Sequence, residues 1–292
     1  MKISIVTDEI SADVETAIEL ATEWGIHDFE LRGFGTQRVP LFSDFKKQRV
    51  QELMEEYNAH VVAISPGLFK IPFSPKKREH FPLQVIDSSL YQKWHDTRSL
   101  VDYHFQELLP ASIEYAKEVG ADNVIIFSFE RGLNPPGPAP EDVLECLRGA
   151  AQQAQKANVK LLIEVEDQFW ADTGNRTAEV IRAINCPALG VNWDPGNAMA
   201  ARDIPYPDGY QAVQDYVQHI HFKDLFRTPD GGTHYVINGE IDWAGQLRSL
   251  AAYGYQGYVS VEPHMQPKVA SAKAMYTRLK ALIESIQAEN SK

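Results

Sequence analysis

The stretch His219-Ile220-His221-Phe222-Lys223-Asp224 alternates polar and apolar side chains, which is typical of a β-strand with two different faces. Because successive side chains on a strand point to opposite sides, His219 and His221 share one face. A lysine and an aspartate follow where the strand ends. The pattern therefore predicts a strand that carries an imidazole and two charged groups to its carboxyl end.

Three other apolar runs end in the same way, in a side chain that can bind a metal ion. They are Leu161-Leu162-Ile163-Glu164, Leu189-Gly190-Val191-Asn192-Trp193-Asp194 and Tyr258-Val259-Ser260-Val261-Glu262. The four stretches are roughly 30 to 40 residues apart, as successive strands of a βα repeat are, and in such a repeat all carboxyl ends face one side. We therefore expect four side chains to converge on one divalent metal ion. They are Glu164, Asp194, His221 and Glu262.

The rest of the chain repeats one kind of joint, in which a helix ends at a glycine and a strand begins a few residues later. It occurs at Gly25, Gly120 and Gly254. In all, eight strand candidates alternate with eight helix candidates, which requires a parallel sheet with helical crossovers. We predict an α/β fold, a single-domain (β/α)8 TIM barrel over residues 1–292. A doubly wound sheet is the alternative, but no GxGxxG turn follows the first strand.

Two local features are predicted in addition to the barrel repeat. Ser11 is expected to cap the first helix, whose Val14, Ile18 and Ala21 recur at helical spacing. Residues from about 65 to 98 show no clear period and would leave the carboxyl end of a strand, where barrel enzymes place their sites. We interpret this segment as a long loop insertion that covers the site.

Composition narrows the class of protein. The 292 residues are 44% hydrophobic and 23% charged, which is ordinary for a soluble globular enzyme. The formal net charge of −12 disfavours a nucleic-acid partner. The amino terminus lacks a long apolar segment, so we expect no membrane partner and a cytoplasmic location. The two cysteines, Cys146 and Cys186, are too few for a disulfide framework and are expected to be reduced.

A carboxylate at the end of a strand has two explanations, because it can simply lie in solvent beyond the sheet. For Glu164, Asp194 or Glu262 alone, both explanations stand. The occurrence of all three with His221 on consecutive strands favours a metal site. Three carboxylates and one imidazole suit Mn²⁺ first, then Mg²⁺ or Co²⁺, and tolerate Zn²⁺.

Several neighbouring positions leave alternatives open. His219 is interpreted as a hydrogen-bonded core histidine rather than a second ligand, since it lies deeper than His221. Glu166 has the same parity as Glu164 and could replace it. Lys223 and Arg227 could bind a substrate oxygen or phosphate, although Arg227 is explained equally well by solvent exposure. Weaker substrate-binding candidates lie at similar strand ends. They are Asn197, His264 and Glu30.

These motifs resemble the xylose isomerase-like TIM barrels, the group with sugar phosphate isomerases and epimerases, tagatose 3-epimerase-like enzymes and endonuclease IV. The resemblance covers essentially the whole chain. Its most specific pieces are Ile163-Glu164, Asn192-Trp193-Asp194-Pro195-Gly196-Asn197, His219-Ile220-His221-Phe222-Lys223-Asp224 and Ser260-Val261-Glu262-Pro263-His264. The resemblance implies that the four side chains named above bind the metal, and that Glu164 and Glu262 also exchange protons with the substrate. Arg227 is similar to an arginine that contacts substrate in keto-sugar epimerases. Asn197 stands where epimerases and the endonuclease have a histidine, which speaks against a three-zinc site.

The function expected from these features is a metal-dependent isomerase or epimerase that acts on a small-molecule sugar or sugar phosphate through a cis-enediolate. A lyase or dehydratase acting on a keto-sugar or inosose uses adjacent chemistry. An endonuclease IV-like phosphodiesterase and a non-catalytic sugar-binding barrel are further alternatives. A homo-oligomer is compatible with each of them.

Overall fold

The computed structural model describes residues 1–73 and 97–290, in which eight parallel strands close into a barrel. Strand order around the barrel follows the chain, and the first strand closes the ring against the last, with Ile3 opposite Val259. The strands are β1 (Lys2–Val6), β2 (Asp28–Leu31), β3 (His60–Leu68), β4 (Asn123–Ile126), β5 (Lys160–Glu164), β6 (Leu189–Trp193), β7 (Val217–Phe222) and β8 (Tyr258–Val261). The predicted (β/α)8 barrel is confirmed.

Helices form the crossovers between successive strands. They are α1 (Val14–Glu23), α2 (Asp44–Glu56), α3 (Thr97–Tyr103), α4 (Leu109–Glu118), α5 (Glu141–Ala157), α6 (Gly174–Ile184), α7 (Pro195–Ala200), α8 (Tyr210–Val213), α9 (Trp243–Tyr253) and α10 (Lys268–Asn290). Each long helix buries one stripe; in α5, Val143, Leu147, Ala150 and Ala154 recur at intervals of three to four residues and are buried. Among the described residues, no helix combines the length and apolarity that crossing a membrane requires.

The strands are buried on both faces because helices cover the outside and side chains fill the inside. In β5, Leu161, Leu162 and Ile163 have no solvent exposure. Parallel strands covered in this way are expected to be continuously apolar, so a charged residue at the end of such a run stands out.

The glycine joints have the backbone that the sequence pattern required. Gly25, Gly120 and Gly254 have φ angles of +88°, +73° and +81°. Left-handed backbone of this kind costs glycine little, and it ends the helix and turns the chain toward the next strand. The recurrence of this joint explains why one architecture could be predicted along the chain.

Two expectations about local boundaries need correction. The N-cap of α1 is Asp13, not Ser11: Asp13 Oδ1 accepts a hydrogen bond of 2.9 Å from the Thr16 amide. Residues 65–68 belong to β3, and α3 begins at Thr97, so the predicted insertion is shorter at both ends. Its middle part, residues 74–96, lies outside the described residues.

Two short antiparallel hairpins stand at the carboxyl end of the barrel. The β2 hairpin pairs Gly33–Phe34 with Gln37–Arg38, directly after β2. The β7 hairpin pairs Leu225–Arg227 with Thr233–Tyr235, directly after β7. Both bring side chains from outside the barrel strands toward the end where the candidate ligands lie.

Replacing Asp13 with alanine should lower the free energy of unfolding by about 0.5–2 kcal/mol, because the first turn of α1 loses its cap. Chemical denaturation measures the change. Ser11→Ala is the matched control, since the Ser11 hydroxyl accepts only from the Asp13 amide, outside the helix. We expect a smaller loss there, and equal losses in the two variants would show that Asp13 is not the dominant cap.

Candidate metal centre

Four buried side chains meet at the carboxyl end of the barrel, one from each of β5 to β8. Glu164 is the last residue of β5, His221 lies in β7, and Asp194 and Glu262 directly follow β6 and β8. One ligand atom from each lies within 4.8 Å of all the others. The convergence expected from the spacing of the strands is present in the structure.

The His221 imidazole lies at the centre of this cluster. Its Nδ1 atom is 3.0 Å from Glu262 Oε2, 3.4 Å from Glu164 Oε1 and 3.5 Å from Asp194 Oδ2. Buried carboxylates held this close repel one another unless a cation lies among them. Three carboxylate oxygens and one imidazole nitrogen match the preferences of Mn²⁺, Mg²⁺ and Co²⁺, so the residues fit a divalent metal ion.

Glu30 orients the His221 imidazole through a hydrogen bond to its Nε2 atom. Its Oε2 atom accepts from His221 Nε2 at 2.9 Å and from His219 Nε2 at 3.1 Å, and neither glutamate nor His219 is exposed. Burial alone would raise the pKa of Glu30, but the two histidines hold it well below its usual range. Because Nε2 is committed to Glu30, His221 presents Nδ1 to the other three ligands. His219 is thus the hydrogen-bonded core histidine that its depth in the strand favoured.

The charge of His221 depends on what lies among the carboxylates. Burial opposes the charged imidazole, but Glu30, Glu262 and Glu164 together raise the pKa of His221 well above its usual value. An imidazolium therefore neutralises part of the cluster when no other cation is present. A metal ion would replace the proton on Nδ1, as metal binding to histidine generally does.

Lys223 places a second positive charge inside the site. Its Nζ atom lies 2.6 Å from Asp194 Oδ2 and 2.9 Å from Glu262 Oε2, and the residue is 1% exposed. Gly196 makes room for its stem, since a Cβ there would lie 2.8 Å from Lys223 Cγ. The carbonyl of Lys223 accepts from the Trp243 indole at 2.9 Å, which fixes the backbone. Lys223 thereby holds two of the candidate ligand carboxylates in place.

Arg32, which the sequence analysis missed, binds the other side of Glu262. Its Nη1 lies 2.5 Å from Glu262 Oε1, its Nη2 2.6 Å from Glu9 Oε1, and its Nε 2.8 Å from Asp8 Oδ1. Arg32 directly follows β2, so it lies at a strand end as the four candidate ligands do. The search for metal ligands at strand ends selected acids and histidines, and it therefore did not select an arginine.

His264 is joined to the cluster through Glu9. The imidazole Nδ1 and the backbone amide of His264 each lie 3.0 Å from a Glu9 oxygen, and Nε2 lies 3.5 Å from Glu262 Oε1. Burial raises the pKa of Glu9, but the hydrogen bond from His264 and the charge of Arg32 lower it to about 2. Glu9 follows β1 in a single 3₁₀ turn, where no sequence pattern marked it.

The remaining candidates occupy different places. Asn197 Nδ2 donates to Glu164 Oε1 at 3.3 Å and to the Val165 carbonyl at 3.0 Å, so the asparagine steadies a ligand. Glu166 pairs with Lys70 at 2.6 Å on the rim. Arg227 is exposed on the β7 hairpin, and among the described residues no ion pair joins it to the cluster.

Tyr235 is a further residue that sequence analysis missed. It ends the β7 hairpin, and its ring lies edge-on to His264 with centroids 5.3 Å apart. Burial raises the pKa of its hydroxyl, Lys223 lowers it, and the charges of Asp194 and Glu262 raise it further. Tyr235 therefore covers the cluster from the hairpin side. Its neighbours His234 and Val236 form no pattern by which it could be found.

A closed (β/α)8 barrel whose consecutive strands bring three carboxylates and an imidazole to one point defines a TIM-barrel protein with a candidate divalent-metal centre. The model of one family, the xylose isomerase-like TIM barrels, matches residues 18–284. The chain belongs to this family. The resemblance noted in the sequence motifs is confirmed.

Solved structures with the same fold cover nearly the whole chain. An L-ribulose 3-epimerase matches 100% of this chain and 97% of its own, with a TM-score of 0.71 and 17% identity. The probable 3-DHS dehydratase AsbF from Bacillus anthracis matches 96% of this chain and 99% of its own, with a TM-score of 0.69 and 16% identity. At these identities the likeness shows the fold alone.

A curated relative is similar over a shorter stretch. The 3-oxo-isoapionate decarboxylase of Pectobacterium atrosepticum is 30% identical over 111 residues, which is 38% of this chain and 39% of that protein. The match thus spans well under half of the relative's length.

Replacing Glu30 with glutamine should weaken Mn²⁺ binding roughly 10- to 100-fold, because a neutral amide oxygen is a weaker acceptor for the two histidines than a carboxylate and therefore orients His221 less firmly. Isothermal titration of the purified protein measures the dissociation constant. The control is Glu240→Gln, which removes an exposed carboxylate and should leave the constant unchanged. If the Glu30 variant is folded and binds Mn²⁺ as tightly as the natural protein, Glu30 does not orient the ligand.

Proposed function

We propose that the protein is a divalent-metal-dependent isomerase or epimerase that acts on a small sugar or sugar phosphate by proton transfer through a cis-enediolate. The observation that carries the proposal is the set of four ligand atoms within 4.8 Å of one another at the end of the barrel where enzymes of this fold react. The names of neighbours with the same fold, an L-ribulose 3-epimerase and a D-tagatose 3-epimerase-like protein, support the choice of substrate class.

A divalent ion, Mn²⁺ first, would be held by the four-ligand cluster and would supply Lewis-acid polarisation of a carbonyl oxygen. The ligands are Glu164, Asp194, His221 and Glu262. Lys223 and Arg32 keep Asp194 and Glu262 in position, and Asn197 donates to Glu164. Tyr235 and His264 lie next to each other at the same end of the barrel, with His264 3.5 Å from Glu262.

Glu164 is the better base of the two proposed catalytic acids. Its Oε1 atom faces Asn197 and His221, while Oε2 makes no hydrogen bond among the residues described. That oxygen is free to take a proton from the carbon next to the substrate carbonyl.

Glu262 is in a different position, and this favours a second candidate function. Both of its oxygens lie against cations, Oε1 at 2.5 Å from Arg32 Nη1 and Oε2 at 2.9 Å from Lys223 Nζ. Burial raises the pKa of Glu262, but Lys223, His221 and His264 hold it well below its usual range. An epimerase needs a base on each face of the substrate, whereas a lyase needs one base and a departing group.

We therefore keep a lyase or dehydratase acting on a keto-sugar or similar compound as the second candidate. In that reaction Glu164 removes the proton, and Lys223 or His264 can donate one to the departing oxygen. The names of two similar proteins, the probable 3-DHS dehydratase and the 3-oxo-isoapionate decarboxylase, support this class. The two candidates share the first step and differ in the product.

The shared step is tested by incubating the Mn²⁺-containing protein in deuterated water with keto-sugars, their phosphates and inososes. We expect one or more of these compounds to exchange a carbon-bound proton for deuterium, observed by NMR, and the exchange to stop when a chelator removes the metal. A product with unchanged mass apart from deuterium identifies an isomerase or epimerase, and loss of water identifies a dehydratase. Exchange that continues after the metal is removed would contradict the metal-dependent mechanism.

Substitution of the two acids separates the candidates. Glu164→Gln should lower turnover by about 10²- to 10⁴-fold in either case, because the base is lost. Glu262→Gln should abolish epimerised product yet leave deuterium exchange measurable if the protein is a two-base epimerase. Metal content is measured for each variant, and Glu240→Gln is the control. Full turnover by Glu164→Gln with normal metal content would remove its assigned role.

A further inference from the structure

Among the arginines whose burial the structure describes, every one that is at least half-buried is paired with a carboxylate, with one exception. The pairs are Arg32 with Asp8, Glu9 and Glu262; Arg49 with Glu15; Arg131 and Arg176 with Asp172; Arg148 with Glu141; and Arg278 with Asp224. Arg38 is half-buried as well, yet it has no carboxylate partner within residues 1–73 and 97–290.

Arg38 is held firmly even though its charge is not matched. Its Nε donates to the Ser65 carbonyl at 2.7 Å and its Nη2 donates to the Ser65 hydroxyl at 3.1 Å. These bonds use the Nε–Nη2 edge of the guanidinium. The opposite edge, Nη1–Nη2, makes no hydrogen bond within the described part of the chain. That edge presents two parallel N–H donors, the geometry that binds a carboxylate or a phosphate in bidentate fashion.

Arg38 lies at the same end of the barrel as the candidate metal centre. It lies on the β2 hairpin, and Ser65 lies in the carboxyl-terminal half of β3 and is 2% exposed. Burial and the like charge of Arg32 lower the pKa of Arg38 to about 10, while the carboxylates of Asp8, Glu164 and Glu262 oppose this. Arg38 thus shares the barrel mouth with the two proposed catalytic acids.

A cation removed from water and not paired destabilises the folded protein, unless a ligand brings the missing charge. Arg32, its neighbour at the mouth, contacts three carboxylates, so it has little capacity left for a ligand. Lys223 is likewise taken up by Asp194 and Glu262. Arg38 differs from both because its supporting bonds come from neutral oxygens and leave its charge available.

We propose that the Nη1–Nη2 edge of Arg38 binds an anionic group of the substrate, a carboxylate or a phosphate, so that the substrate is an acidic sugar derivative and not a neutral sugar. The proposal rests on the proposed function for the sugar part of the substrate, but the anion site itself does not. With the acidic group at one end of the substrate bound to Arg38, the carbon to be deprotonated would lie near the four-ligand cluster.

The anion site is tested first without any sugar. Inorganic phosphate and acetate are titrated separately into the metal-free full-length protein, and the thermal unfolding midpoint is followed, since a ligand that binds the folded state raises it. We expect at least one anion to stabilise the natural protein and the control Arg182→Gln, an exposed arginine on α6. The same anion should give no shift in Arg38→Gln. Arg38→Lys keeps the charge without the paired donors and should give a reduced shift.

The source of the anion is tested next with the Mn²⁺-containing protein and three matched compounds. Glucitol is neutral, gluconate carries a carboxylate and glucitol 6-phosphate carries a phosphate. We expect one of the two acids to bind at least about tenfold more tightly than glucitol, as a charge-assisted bidentate contact does, and this advantage to vanish in Arg38→Gln while glucitol binding is unchanged. The tighter acid identifies the chemical group.

Two results would overturn the proposal. One is the absence of stabilisation of the natural protein by either anion; the other is stabilisation that persists unchanged in Arg38→Gln, or in Arg38→Lys if the glutamine variant does not fold. If the anion site is present but no compound exchanges deuterium, the proposed reaction fails and the anion site stands. If exchange occurs only with neutral sugars, the reaction stands and the anion site is wrong.

Discussion

The charged side chains buried at the carboxyl end of the barrel require partners, and this requirement determines which residues surround them. Glu30, Asp194 and Glu262 are at most 2% exposed, and Lys223 is 1% exposed. A buried charge is tolerated only when it is paired or hydrogen-bonded, so every one of these groups requires a neighbour of fixed position. The barrel supplies those neighbours because its strands end at one level. The result is a network in which no member can be removed without leaving another charge unmatched.

The network has two layers with different tasks. In the lower layer Glu30 joins His219 and His221, which sets the direction of the His221 ring and depends on no bound ion. In the upper layer three acids face His221, and Lys223 and Arg32 hold two of them, Asp194 and Glu262. The lower layer therefore orients the His221 ring independently of a metal ion. The upper layer provides the negative charge that would attract a metal ion.

The barrel and the convergence of the four candidate ligands could be predicted from sequence because both follow from short-range patterns. An apolar run that ends in an acid marks the end of a buried strand, and its spacing along the chain gives the repeat. Arg32, Arg38 and Glu9 could not be predicted in this way. Their partners lie on other elements of the barrel: Arg32 and Glu262 are 230 residues apart, and Arg38 and Ser65 are 27 residues apart. Closure of β1 against β8 and β2 brings the first pair together, pairing of β2 with β3 brings the second together, and no pattern within one segment carries that information.

The four candidate ligands and the residues around them would determine different steps of the proposed reaction. Metal ligands that converge at the end of a barrel permit removal of a proton next to a carbonyl, whichever product follows. Whether the proton returns on the other face depends on whether Glu262 can act as a base. Arg32 and Lys223 occupy both of its oxygens, and both cations come from elements other than β8. In the proposed reaction, the outcome would therefore be set by Arg32 and Lys223, which touch a candidate ligand, and not by the four candidate ligands themselves.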